Sequence, residues 1–280
     1  MPDRRGFEAN ITRIKLCGVQ GCCPSVEIHR GSDKIVITDD DGGKVTLTKE
    51  QSREMLAKDN IEQIAEKVNR EITKWSREHK RLIVVIDGYA GSGKTSIANR
   101  IAELNSDCLV VHLDDFIKHW KTRKQMMDTA QDRSRVFEYK WYRYDALERL
   151  VRAFQNGRRK HICLKLYDFD KNEFTAPRAF DLSKNILIIE GIFLLHPRHK
   201  RNTLWGKRVF LNVDLERAEE RRISREKRRW GEAYLPEDHP DSYMRDFRNA
   251  YTRYLNRYKP EQNADLVIDV DAIEKRRGET

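Results

Sequence analysis

Eight residues, Gly88-Tyr89-Ala90-Gly91-Ser92-Gly93-Lys94-Thr95, constrain this chain more than any other stretch. They follow the apolar run Leu82 to Ile86 and precede Ile97-Ala98-Asn99-Arg100-Ile101-Ala102, which reads as a helix. Strand, glycine loop, helix is the context in which G-x-x-x-x-G-K-[ST] acquires a physical meaning. Glycines let successive backbone N–H groups turn inward around phosphate oxygens, where a Cβ would collide with the ligand. Lys94 offers a point charge to β- and γ-phosphates, Thr95 a hydroxyl to Mg²⁺, and the following helix the positive end of its dipole. Gly88, Tyr89, Ala90, Gly91, Ser92, Gly93, Lys94, Thr95 and Ser96 are therefore expected to cradle a nucleoside triphosphate.

From Arg81 onward, apolar runs alternate with amphipathic stretches: Leu82–Ile86, Cys108–Leu113, Ile162–Leu166, Ile186–Ile189, Arg208–Val213 and Leu266–Ile268. Near-continuous apolar strands suit a parallel sheet covered on both faces. The expected fold class is α/β, a doubly wound parallel sheet with helices on both faces. Its length of 280 residues allows such a domain plus an appendage. Residues 1–48 read differently. Val26–His29, Lys34–Thr38 and Lys44–Thr48 alternate apolar and polar residues about the turn cluster Asp39–Gly43, which predicts a small β-meander. Thr48-Lys49-Glu50-Gln51 has the form of a capping box. Met55, Ile61, Ile64, Ala65, Val68, Ile72 and Trp75 follow at helical spacing, with Trp75 on the core side. One helix, or two separated at Asp59-Asn60, is expected there. The division is thus 1–48 as a β-rich extension, 49–80 as a helical connector and 81–280 as the α/β domain.

The formal net charge of +10 invites an acidic partner, but much of the excess lies in 198–229 on a predicted helix, and no nucleic-acid-binding module is recognisable. A nucleotide polyphosphate satisfies the charge, so nucleic acid is not expected as the main ligand. No run approaches the roughly 18 apolar residues of a membrane span, and MPDRRGFEAN has no apolar signal segment. A cytoplasmic protein without membrane contact is expected, its cysteines at 17, 22, 23, 108 and 163 reduced. Cys17, Cys22 and Cys23, with His29 nearby, read as thiols near a tight turn; adjacent cysteines suit a tetrahedral metal poorly.

In open α/β sheets, ligands gather beyond the carboxyl ends of the strands. Acids stand there at Asp114 and Asp115, Asp168, and Glu190. Glu190 leaves a buried strand and is suited to hold Mg²⁺, Asp114 to take a proton from an attacking hydroxyl, and Asp115 to cap a helix.

Gly88–Thr95, Val111-His112-Leu113-Asp114-Asp115-Phe116, Leu166-Tyr167-Asp168-Phe169 and Ile188-Ile189-Glu190-Gly191-Ile192 resemble, in order and spacing, the uridine kinase, phosphoribulokinase and nicotinamide riboside kinase superfamily of small-molecule kinases. The resemblance runs over about residues 81–270. It implies ATP and Mg²⁺ as cofactors, Asp114 as base, Lys94 on phosphate, Thr95 and Glu190 with the metal, and Tyr167 and Phe169 near the acceptor. It also implies an arginine-rich lid over Arg217–Arg229, from which Arg221, Arg225 and Arg229 reach the nucleotide and which closes over it. Spacing independently places several of these arginines on one helix face. Nucleoside kinases of this group put an acid where this chain has Tyr142, with Asp145 three positions on, and a histidine where it has Asn172. A phenol holds a ribose diol less well than a carboxylate does. Uridine is therefore disfavoured, and Arg143 or Arg178 is placed to meet an anionic acceptor. The expected activity is transfer of the γ-phosphoryl group of ATP to a hydroxyl of a nucleoside-like compound, sugar or polyol. The alternative is a nucleotide-gated interaction protein, in which ATP binding controls contacts of residues 1–80 with a protein partner or a second copy.

Overall fold

The computed structural model describes residues 11–15, 25–29, 32–38, 43–169 and 171–275. Two compact units are present, Met1–Asn60 with Glu274–Thr280, and Ile61–Ile273.

In the first unit, β1 (Ile11–Lys15), β2 (Ser25–His29), β3 (Lys34–Thr38) and β4 (Lys44–Thr48) form an antiparallel sheet in that order. Three of these strands coincide with the period-two stretches. The fourth, β1, escapes that pattern because its two isoleucines, Ile11 and Ile14, stand three apart. Helix α1 (Lys49–Ser76) begins at a true capping box: Gln51 N–H donates to Thr48 Oγ1 at 3.0 Å and Thr48 N–H to Gln51 Oε1 at 2.9 Å. No break occurs at Asp59-Asn60; with neither Pro nor Gly in the span, nothing removes a donor or favours another backbone conformation. Cys17, Cys22, Cys23, residues 39–42 and the side chains of His29 and Met55 lie outside the described residues.

The remaining elements, in chain order, are β5 (Leu82–Gly88), α2 (Lys94–Leu104), β6 (Cys108–His112), α3 (Trp120–Thr129), α4 (Ser134–Tyr139), α5 (Tyr144–Asn156), β7 (His161–Leu164), β8 (Tyr167–Asp168), β9 (Glu173–Phe174), β10 (Arg178–Asp181), β11 (Ile186–Gly191), β12 (Lys207–Asn212), α6 (Leu215–Trp230), α7 (Met244–Arg253), β13 (Leu266–Asp269) and α8 (Val270–Lys275). The second unit is built on a parallel sheet of order β13-β12-β5-β11-β6. Helices flank it, burying Ile64, Val68 and Ile72 of α1, Ile97 and Ile101 of α2, and Leu147, Leu150 and Phe154 of α5. Trp75 packs against the same core. Buried from end to end, β5 lies between β11 and β12 and carries the glycine loop out at its carboxyl end.

One expected strand leaves the sheet. The run at Ile162–Leu166 becomes β7, which pairs antiparallel with β10 in a separate two-stranded ribbon. Charged and polar residues at His161 and Cys163 are exposed, so the segment lacks the two buried faces that a central parallel strand requires. Asp168 is consequently not an acid at the end of a central strand. It sits in the tight β8–β9 hairpin and accepts a hydrogen bond from Lys171 N–H at 3.2 Å. Nor does Asp115 cap a helix: it lies inside the 3₁₀ turn Leu113–Phe116, whose N-cap position is His112, and its carboxylate is 3.8 Å from Arg178 Nη1. Cys108 is buried and Cys163 exposed, both as free thiols.

Candidate active site

The loop after β5 is shaped by its neighbours as well as by any ligand. Gly91 and Gly93 have φ of +89° and +87°, in the left-handed region where a Cβ is strained. A Cβ on Gly91 would stand 2.3 Å from the carbonyl oxygen of Ala218 in α6, and one on Gly88 2.9 Å from Ser92 Oγ. At Gly93 the space is open, with only Ile97 Cδ1 at 3.7 Å. Lys94 opens α2, and its Nζ donates to the Tyr89 carbonyl oxygen at 2.9 Å. Ala90, Gly91, Gly93, Lys94, Thr95 and Ser96 line a cavity of about 300 Å³; Gly88, Tyr89 and Ser92 do not. Tyr89 instead turns its ring into the core, 5.5 Å from Phe247 and 4.5 Å from Tyr251 between centroids, and its hydroxyl donates to Glu219 of α6.

Register brings the next group beside the loop. Glu190 of β11 pairs with Ile86 of β5 on one side and His112 of β6 on the other. Its Oε1 accepts from Thr95 Oγ1 at 3.0 Å and lies 2.8 Å from His112 Nδ1. Burial pushes the Glu190 carboxyl up, but His112, Lys94 and Thr95 together hold it below its ordinary value, while its hydrogen bond lifts His112. Gly191 is forced to be glycine by Leu113, whose Cβ would lie 2.5 Å from an added Cβ. That close approach seats the turn carrying Asp114 against the end of β11.

Asp114 lines the cavity on the side away from the glycine loop in sequence. Protein atoms crowd it closely, yet the cavity leaves it open to solvent, and its carboxyl is displaced from its ordinary value. The displacement is upward, from burial first and then from the charge of Glu190. Tyr142 is buried, and its hydroxyl donates to Asp114 Oδ1 at 3.2 Å. Burial and the neighbouring Asp114 keep that phenol protonated. Phe169 also lines the cavity. Tyr167 stands behind it, buried, donating to Asn172 Oδ1 at 3.0 Å. Asn172 takes φ of +54°, a conformation asparagine tolerates, and so serves the turn. Asp145 lies exposed in the first turn of α5, outside the cavity lining.

The arginines of α6 separate into different environments. Arg225 lines the cavity, whereas Arg221 is 3.6 Å from Asp271 and Arg229 lies over the rings of Phe169 and Trp230. Arg222 is buried, lines the cavity and pairs with Glu219 and Glu226, each at 2.6 Å. The expected single face of cations is therefore partitioned among a cavity, a buried network and the surface.

Several lining residues were not anticipated. Met244 and Phe247 come from α7, Phe137 from α4, and Arg123 from α3. Arg123 sits in the basic run Lys121-Thr122-Arg123-Lys124, which reads as a solvated face. The overlooked signal is that Met126 and Met127, three and four residues on, share its helix face; Met127 is fully buried.

The model of the phosphoribulokinase/uridine kinase family matches residues 83–275. Nicotinamide riboside kinase 2 of Mus musculus is 26% identical over 203 residues, covering 71% of this chain and 91% of that protein. Uridine kinase of Borrelia duttonii (strain Ly) is 26% identical over 187 residues, covering 66% and 85%. Among solved structures, a possible uridine kinase from Bacillus stearothermophilus superposes with a TM-score of 0.53 at 20% identity, covering 76% of this chain and 99% of the other. That last likeness is one of fold.

Proposed function

The chain belongs to the phosphoribulokinase/uridine kinase family, and from that footing we propose that it is an ATP-dependent kinase that phosphorylates a hydroxyl of a small metabolite. The observation that carries this reading is the shared cavity: the glycine loop, Thr95 with Glu190, and Asp114 all line it. Backbone N–H groups of the loop and Lys94 hold the β- and γ-phosphates. Lys94 leaves the Tyr89 carbonyl to do so. Asp114, its carboxyl displaced upward and therefore the stronger base, accepts the proton of the attacking hydroxyl as the new O–P bond forms and ADP departs. Tyr142 keeps that carboxylate oriented. Arg225 adds positive charge where negative charge spreads over the transferring group.

The hydroxyl of Thr95 and the carboxylate of Glu190, 3.0 Å apart, form the hard-oxygen pair that Mg²⁺ favours. When bound, the metal supplies charge neutralisation on the phosphates. We assign this chemistry to residues 81–280, with 1–48 as a separate extension, and place it in the cytoplasm; no helix among the described residues is long and apolar enough to cross a membrane.

The test is ATP consumption by the full chain against a panel of alcohols, with products identified by mass spectrometry. Equal amounts of ADP and a phosphorylated alcohol are expected. ATP hydrolysis that no alcohol accelerates would overturn the reading.

A further inference from the structure

The acceptor side of the cavity contains a guanidinium that the reaction as described does not use. Arg123 reaches the cavity from α3 with its guanidinium carbon 5.0 Å from the Trp141 ring centroid, 5.2 Å from Tyr167 and 5.8 Å from Phe169. Its Nε donates to the Lys118 carbonyl oxygen at 2.9 Å and its Nη2 to the Tyr167 hydroxyl at 3.1 Å. A guanidinium has five N–H donors; Nη1 has no partner among the described residues, and none of their carboxylates forms an ion pair with this arginine. Aromatic faces and two hydrogen bonds fix the plane of the fork, so little side-chain freedom remains to be lost on binding.

We infer that Arg123 grips an anionic group of the acceptor, so that the substrate is an alcohol also bearing a carboxylate or a phosphate ester. This rests on the kinase reading above. This half-buried cation in an apolar frame has no counter-charge among the described residues, and an anion with two coplanar oxygens matches the fork. The groups that would hold a neutral diol are otherwise engaged. Tyr142 donates to Asp114, Glu226 pairs with Arg222, and Glu190 is held by Thr95 and His112. The other arginines considered for an anion are occupied as well: Arg143 donates to the Lys165 carbonyl oxygen at 2.7 Å, and Arg178 faces Asp115. Neither lines the cavity.

The full chain with ATP is offered three acceptor sets: polyhydroxy acids, sugar phosphates, and neutral nucleosides and polyols. One of the two anionic sets should give the highest kcat/KM, and which one identifies the anion as carboxylate or phosphate. For that acceptor, Arg123→Gln should raise KM by about ten- to a hundredfold, the loss of one or two charge-assisted hydrogen bonds, with Arg123→Lys recovering part and the KM for ATP moving less than about twofold. In the unsubstituted protein, malonate should compete with the acceptor and not with ATP. Neutral acceptors equal to or better than anionic ones, an acceptor KM indifferent to both substitutions, or absence of malonate competition would each overturn the anion subsite. Phosphorylation of neutral acceptors would do so while leaving the kinase reading standing; no acceleration by any set would overturn both.

Discussion

The phosphate side and the acceptor side of this cavity are made in opposite ways. Residues 90–96, Ser92 excepted, line the side proposed for phosphate from one short stretch of chain, largely through backbone atoms and a helix start. On the kinase reading, its chemistry is independent of which metabolite is phosphorylated. The acceptor side gathers Asp114 from the turn after β6, Arg123 from α3, Trp141 and Tyr142 from the approach to α5, and Phe169 from beyond β8. Everything there is done by side chains brought together by tertiary structure. On the kinase reading, phosphate binding is therefore concentrated where sequence is local, and acceptor binding, together with the proposed base, where it is dispersed.

The contrast is sharpest when each side loses its central charge. Lys94→Ala should abolish productive use of nucleotide by removing the phosphate side's cation. Asp114→Asn should lower kcat by about 10²- to 10⁴-fold, the usual weight of a general base, while nucleotide affinity stays within about threefold, since a neutral amide has the same shape. Stopped-time product assays and calorimetric titration of a non-hydrolysable ATP analogue separate the two. Normal turnover in Asp114→Asn would remove this residue from the role of base and erase the division between the sides.

A second comparison lies within the glycine loop. Gly91→Ala adds a Cβ both to a left-handed backbone and against the Ala218 carbonyl, whereas Gly93→Ala meets only the backbone strain. The first should cost about 3 kcal/mol of stability without ligand, strain and overpacking combined. The second should cost about 1 kcal/mol. Denaturant titrations of the two variants check this, and equal losses would mean that α6 yields freely to the loop.

How much could be read beforehand follows the same line. The glycine loop, the capping box at Thr48 and Gln51, and five of the six apolar runs appear in the structure as strands or turns where their local patterns place them. Local pattern fails where a partner decides the outcome. Ile162–Leu166 is apolar enough for a central strand, yet β10 captures it. Asp115 has the residue type of a helix cap, yet the 3₁₀ turn already begins two residues before it, at Leu113, and Arg178 faces it. The arginines at 221, 225 and 229 share a helix face in projection, but Asp271, the cavity and the Phe169 ring draw them to different places. Arg123 is hidden because Lys121 and Lys124 make its stretch read as a solvated basic run, while its neighbours in space are aromatic rings.

A smaller effect tests whether the phosphate side has a price of its own beneath the loop. Asp87, immediately before Gly88, is fully buried, with Oδ2 accepting from Leu195 N–H at 2.9 Å and Tyr254 hydroxyl at 2.6 Å. Its Oδ1 has no partner among the described residues. Burial pushes this carboxyl from 3.8 up to about 6, against the pull of those hydrogen bonds and of Lys94. The folded state thus binds the proton more tightly than the unfolded chain, and ionisation opposes folding. The penalty is absent below the unfolded value, grows as pH rises from about 4, and levels off above about 6, with a ceiling of about 3 kcal/mol. Asp87→Asn keeps an acceptor for Leu195 and Tyr254 without the charge. Its stability relative to the parent should therefore improve by about 1 kcal/mol between pH 5 and pH 7.5, read as the difference between two denaturation series. Asp114, open to solvent through the cavity, should show a weaker pH-dependent gain on conversion to Asn. A parent that loses ground to Asp114→Asn as much as to Asp87→Asn would mean that both aspartates are equally desolvated, and that the acceptor side is as closed to water as the strand beneath the loop.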